Sequence, residues 1–155
     1  DELSSGSASV MNKILSVNIL GVTNTVMPFI PHLKSSKSGK IVVICSVASF
    51  RGLAHHSAYS GSKVAVRNIC QGWGVALRKH NISVTAICPG FIKSEMTDKN
   101  EFYMPFLMDT EVAVKKIIRA VEKKKKVFIF PWQMRYIGVP IMKYAPDWLF
   151  SKFSI

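Results

Sequence analysis

Three observations along the 155 residues predict an α/β fold built on a parallel sheet. Helical and strand patterns alternate as helix, strand, helix, strand, helix, strand, the order that crossover helices impose on parallel strands. The first two strand candidates are continuous apolar runs bounded by turn residues, the pattern of strands buried on both faces. No internal repeat or linker divides the chain, and nearly half its residues are apolar, which suits one globular domain.

The first helix is expected over residues 10–34, where Val10, Ile14, Val17 and Gly21 recur at helical spacing. Residues 14–31 carry no charge, which raises the question of a membrane span. Asn18, Asn24, two threonines and two prolines weigh against one. The helix is therefore expected inside the protein or at a subunit contact. After a polar turn at 35–40, residues 41–45 form the first strand, β-branched up to Cys45. A loop over 46–57 holds Gly52 and the pair His55-His56, read as loop residues that border a substrate at most. A helix over 57–79 should bury Ser62, Ala65, Ile69, Trp73 and Ala76 or Leu77.

Residues 82–88 form the second strand, stopped by Pro89-Gly90. Residues 91–108 show no period and carry Phe91, Met96, Phe102, Tyr103, Phe106 and Met108. That composition fits a lid over an apolar ligand, or a small helix that simply packs. Asp109-Thr110-Glu111 opens a helix whose inner face is expected at Val114, Ile117, Ile118 and Val121. Residues 127–130 make a third strand. The tail over 131–155 is rich in aromatic and aliphatic residues and broken by Pro140 and Pro146.

The formal charge of +12 suits an anionic ligand, nucleic acid or a membrane surface. The basic residues are scattered, however, apart from four consecutive lysines at 123–126 that close a helix, where cations suit the helix dipole. They read as a solvated face, with no nucleic-acid partner expected. A peripheral membrane contact through the tail is a weaker expectation. Cys45, Cys70 and Cys88 lack the spacing of a metal site or disulfide framework, which favours burial in a reducing, cytoplasmic setting. The chain starts Asp-Glu-Leu-Ser-Ser, without a signal-peptide pattern and without methionine, as a fragment would.

The chemistry concentrates in residues 41–63. Removing hydride from an alcohol needs a base for the hydroxyl proton, and reducing a ketone needs an acid for its oxygen. Tyr59 and Lys63 stand at i and i+4 of a helix and share a face. An ammonium about 5 Å from the phenol, at an effective dielectric near 20, stabilises the phenolate by about 3 kcal/mol. Ser46 leaves the carboxyl end of its strand, where open α/β sheets bind ligands, and its hydroxyl can hold a substrate oxygen. Asn18 sits mid-helix, where a buried amide needs a partner such as a water linked to Lys63. Pro89-Gly90, with residues 92–94, can line one side of a flat ring. No nucleophile elbow surrounds Ser46, which argues against a serine hydrolase despite the two histidines.

Together these residues resemble the short-chain dehydrogenase/reductase family. Its Y-x-x-x-K pair is matched by Tyr59 and Lys63, with Ser46 thirteen residues before Tyr59 on a strand reading I-V-V-I-C-S. Its N-x-x-G motif is matched by Asn18 and Gly21, and its P-G-x-x-x-T motif by Pro89 to Ser94, with serine in place of threonine. The resemblance covers about residues 8–130. It implies a Rossmann-type parallel sheet with flanking helices, and NAD or NADP as cofactor. It also implies that Tyr59 is the general acid/base and that Lys63 assists it and bonds the nicotinamide ribose. Ser46 would position the carbonyl, Asn18 would anchor a relay water, and Pro89, Gly90, Ile92 and Ser94 would meet the nicotinamide end. The substrate would be a small carbonyl or alcohol, apolar if the loop over 91–108 is a lid. A homo-oligomer through helices 10–34 and 57–79 is the family's habit.

The family's glycine-rich turn T-G-x-x-x-G-x-G and its N-N-A-G motif do not occur in these residues. Residues 1–155 are therefore expected to form one partial domain, with core 8–130 and tail 131–155, lacking the inner strands and binding cofactor poorly alone. A competing expectation is a catalytically inactive fragment, or an interaction module pairing through its long helices.

Overall fold

The computed structural model describes residues 6–95, 97–98 and 103–150, the side chain of Phe150 excepted. Met96 and Phe102, assigned above to the apolar loop, lie outside them.

The chain opens with one long helix, α1 (Ala8–Ser36), whose first turn is capped by the Ser7 side chain accepting from the Ser9 amide. It is not uniform: Ser16–Leu20 is wound as a π-turn and Met27–Phe29 as a 3-10 turn. Pro28 explains the second irregularity, because it has no N–H to give the preceding turn. Lys37, left-handed at φ 49°, ends the helix. Then follow β1 (Gly39–Ile44), α2 (Ser57–Ala76), β2 (Ile82–Pro89), α3 (Thr110–Glu122) and β3 (Val127–Phe130). Residues 134–144 form helix α4, which starts as a π-turn, and Asp147–Phe150 forms the short α5.

The three strands are parallel in the order β1-β2-β3. Gly39 stands opposite Ile82 and Ile44 opposite Ile87, while Ala86 pairs with Val127 and Pro89 with Phe130. All three carboxyl ends therefore lie along one rim. One face of the sheet, with Ile41, Val43, Val84, Ala86 and Cys88, packs on Val66 and Cys70 of α2. Helix α1 adds Ile19, Val22, Val26, Ile30 and Leu33 to that core. On the other face Ile87 and Phe130 meet Ala113 and Ala120 of α3. Ile87, fully buried, contributes about 1.5–3 kcal/mol by leaving water.

The expected architecture is present, and four details differ from the sequence-based expectation. β2 is buried on both faces, but β1 is not: Val42 and Ile44 are 39% and 52% exposed. β1 lies at the sheet edge, and α3 covers only β2 and β3. Helix α1 has no buried residue at all. One side packs on the core and the other presents Val17, Leu20, Met27 and Phe29 to solvent, so the interior placement does not hold and the subunit contact is the expectation that stays open. On α2 the buried positions are Ala58, Ser60, Ser62, Val66 and Cys70, and Leu77 follows them; Ser62 and Leu77 are as expected, whereas Ala65, Ile69 and Trp73 are only half-buried. On α3 they are Ala113 and Ala120, with Val114 and Ile118 exposed. Small residues let both helices approach the sheet closely, and this outweighs the larger apolar side chains beside them.

Candidate functional site

Ser46, Tyr59, Lys63 and Pro89-Gly90 come together at the carboxyl rim of the sheet. Each arrives there for a local reason. Backbone pairing of β1 with β2 runs one residue past the strand, with the Cys45 amide donating to the Ile87 carbonyl, so Ser46 emerges just above the rim. Ser46 then caps a short 3-10 turn (Val47–Phe50), its Oγ accepting from the Ala48 amide at 3.1 Å. That bond occupies a lone pair and leaves the hydroxyl proton without an acceptor among the described residues. It is a donor available to a carbonyl oxygen.

Tyr59 and Lys63 lie in the first turns of α2, which packs over β1 and β2. The Lys63 ammonium sits 5.6 Å from the centre of the Tyr59 ring. It donates to the Ile44 carbonyl at 3.2 Å, two residues before Ser46. No described carboxylate pairs with it. Burial pushes the Lys63 ammonium below its ordinary value, since desolvation penalises the charged form. A half-buried cation with a spare donor is well placed for a neutral hydroxyl-bearing partner such as a ribose.

Asn18 falls inside the π-turn of α1 and is half-buried. Its Nδ2 donates to Ser62 Oγ at 3.0 Å, and Ser62 Oγ donates to the Tyr59 carbonyl at 2.6 Å. One partner of this amide is thus a serine hydroxyl. Ser62, fully buried, was expected only as part of a packing stripe. Its role as a bridge depends on α1 crossing α2, which leaves no local signal in the sequence.

Pro89 ends β2, and the Gly90 amide donates to the Phe130 carbonyl at 2.8 Å. A Cβ on Gly90 would stand 3.0 Å from Met134 Cγ and 3.3 Å from Pro131, so glycine lets α4 close against the rim without displacing Met134. Ile92 is half-buried and bridges to Met108. Ser94 is exposed and bonds Thr97, further out than the others. His55 and His56 are exposed at the start of α2. The described part of the loop over 91–108 is irregular, with the Lys93–Asp109 ion pair at 2.6 Å across its base.

Behind the rim the three cysteines share one buried cluster. Cys45 is pushed up to about 12, first by its hydrogen bond with Cys70 and then by burial. Cys88 is pushed up by its hydrogen bond with Cys45 and by burial, whereas Cys70 is lowered by its bond with Cys45. No group of metal-ligating side chains occurs among the described residues.

A cleft of about 560 Å³ lies not at Tyr59 but between residues 106–109, α3 and the end of β3. A second, of about 350 Å³, runs between Phe50, β3 and α4. Neither is lined by Ser46, Tyr59 or Lys63.

Comparison with known proteins bears on this geometry. A family model described as short chain dehydrogenase matches residues 2–103. An uncharacterized oxidoreductase of Myxococcus xanthus is 38% identical over 138 residues, which cover 89% of this chain and 54% of that protein. A Burkholderia cenocepacia short chain dehydrogenase solved in complex with NADP superposes with TM-score 0.76 and 23% identity, over 91% of this chain and 59% of that one. A Mycobacterium paratuberculosis short chain dehydrogenase bound to NAD gives TM-score 0.64 at 22% identity, over 77% and 53% of the respective chains. The chain spans about half the length of these relatives.

Proposed function

This chain belongs to the short chain dehydrogenase family, and on that premise we propose that the protein interconverts a hydroxyl and a carbonyl with NAD or NADP. The observation that carries the reading is Lys63. Its ammonium lies beside the Tyr59 ring and bonds the Ile44 carbonyl, which ties the acid/base candidate to the strand end bearing Ser46. The nicotinamide, when bound, supplies or takes the hydride; the proton belongs to this chain.

In the reducing direction Ser46 donates its free hydroxyl proton to the carbonyl oxygen and holds it beside Tyr59. Tyr59 then gives its phenolic proton to that oxygen as the hydroxyl forms, and the Lys63 ammonium stabilises the phenolate left behind. In the oxidising direction Tyr59 takes the proton back. Lys63 would also hold the ribose, and Pro89, Gly90, Ile92 and Ser94 would meet the nicotinamide end. Asn18 steadies this arrangement through Ser62, with a relay water at the π-turn as its further role. The apolar side chains near Phe106 and Met108 favour an apolar carbonyl substrate. Hydride transfer by a complete version carrying Tyr59→Phe is the test. A fall of about 10²-fold or more is expected, and an unchanged rate would sink the assignment.

One observation favours a second reading. The outer face of α1 presents Val17, Leu20, Met27 and Phe29, as a subunit contact would. We infer pairing of two copies through α1 and α2, which an inactive fragment could also use. Size measurement and NAD(P) titration of the 155-residue chain separate these, since tight cofactor binding would exclude a purely pairing module.

A further inference from the structure

The segment over residues 132–148 carries an apolar surface that the site chemistry does not use. Trp132, Tyr136, Ile137, Ile141, Tyr144 and Trp148 are each between 49% and 82% exposed. Ile137, Ile141 and Tyr144 follow i, i+4, i+7 spacing, so they form one stripe along α4. The segment is not loose. Met134 and Val139 are buried beneath it, and the Arg51 guanidinium bonds the Met142 and Ala145 carbonyls and the Asp147 carboxylate. Its outward face is therefore held outward by the fold.

The charges beside the stripe select the partner. Arg135 and Lys143 flank it, and Asp147, the single acid in 132–148, is engaged by Arg51. The chain as a whole carries +12, which attracts an anionic surface. Tryptophan and tyrosine with aliphatic side chains between cations is the composition of a helix lying in a lipid interface.

We propose that residues 132–148 dock this protein on anionic phospholipid, with α4 flat in the interface. The Lys143 ammonium lies 5.0 Å from the Phe50 ring, in the turn that Ser46 caps, and Gly90 packs on Met134. Docking thus turns the carboxyl rim of the sheet toward the bilayer, from which an apolar carbonyl compound can enter. That last step rests on the oxidoreductase reading; lipid binding does not.

The test uses the full 155-residue chain and vesicles of phosphatidylcholine with or without phosphatidylserine. Co-sedimentation and a blue shift of tryptophan emission are expected only with phosphatidylserine at low salt, both weakening as salt is added. Ile137→Ser with Ile141→Ser should weaken partitioning about tenfold or more. Arg135→Gln with Lys143→Gln should weaken it without removing any apolar contact. The proposal is overturned if the wild-type chain ignores anionic vesicles, or if either folded double variant binds them as well as wild type. It is also overturned if the serine variant dissolves a dimer while lipid binding stays unchanged.

Discussion

Asn18 and Ser62 meet where α1 crosses α2, Nδ2 to Oγ at 3.0 Å, and Ser62 passes the connection on to the carbonyl of Tyr59. Two helices are thereby locked at the turn that presents the tyrosine. The contact explains why a mid-helix asparagine is tolerable despite its modest propensity. Its amide is satisfied by tertiary contact, made from within a π-turn of the helix.

Ser62→Ala should destabilise the fold by about 0.5–1.5 kcal/mol, because it removes the acceptor of the half-buried Asn18 amide. Asn18→Leu with Ser62→Ala should recover part of that loss, since no polar group is then left without a partner. Urea midpoints of the two variants give the comparison. Equal loss in both would mean that the pair contributes packing alone.

Lys63 sets a pH dependence of known sign. Burial lowers its pKa in the folded chain below the ordinary 10.5, so the desolvation cost is fully present below the folded value. As pH rises from the folded value toward 10.5, the unfolded chain keeps a proton that the folded one has lost, and relative stability increases. The stability of Lys63→Met relative to wild type should therefore be greatest near neutrality and shrink as pH approaches 10.5. Urea melts of both proteins across that range measure the difference. A gap that widens with pH would contradict the burial of this ammonium.

The cysteine cluster should be inert in the folded chain. Lifting Cys45 from 9.0 to about 12 cuts its thiolate fraction about a thousandfold at neutral pH. Cys70 shifts the other way but is 3% exposed, and Cys88 is fully buried. Titration with a coloured aromatic disulfide should show three thiols only after unfolding in urea. Rapid release from the native protein would show that the sheet opens locally near the site.

The parallel sheet was legible because strand and helix periods alternate and turns punctuate them. The Tyr59–Lys63 pair was legible because a helix converts i, i+4 spacing directly into proximity. Ser46 and Pro89-Gly90 could be placed at strand ends for the same local reason. The packing face of α2 is as expected at Ser62 and Leu77 but not at Ala65 and Ile69, and that of α3 at Ile117 but not at Val114 and Ile118. Close approach of Ala113 and Ala120 to the sheet depends on the partner surface, which no single helix encodes.

The sequence by itself determined the order of elements, the parallel sheet and the grouping of Tyr59 and Lys63, because these follow from short-range periodicity and turn chemistry. Only the tertiary structure decided that Ser62 bridges Asn18 to Tyr59 and that Lys63 reaches the carbonyl of Ile44. It also decided that Val42 and Ile44 stay exposed and that the outer sides of α1 and α4 face solvent. Those facts depend on which surfaces lie opposite one another across long stretches of chain, and burial is a property of the pair rather than of either partner alone.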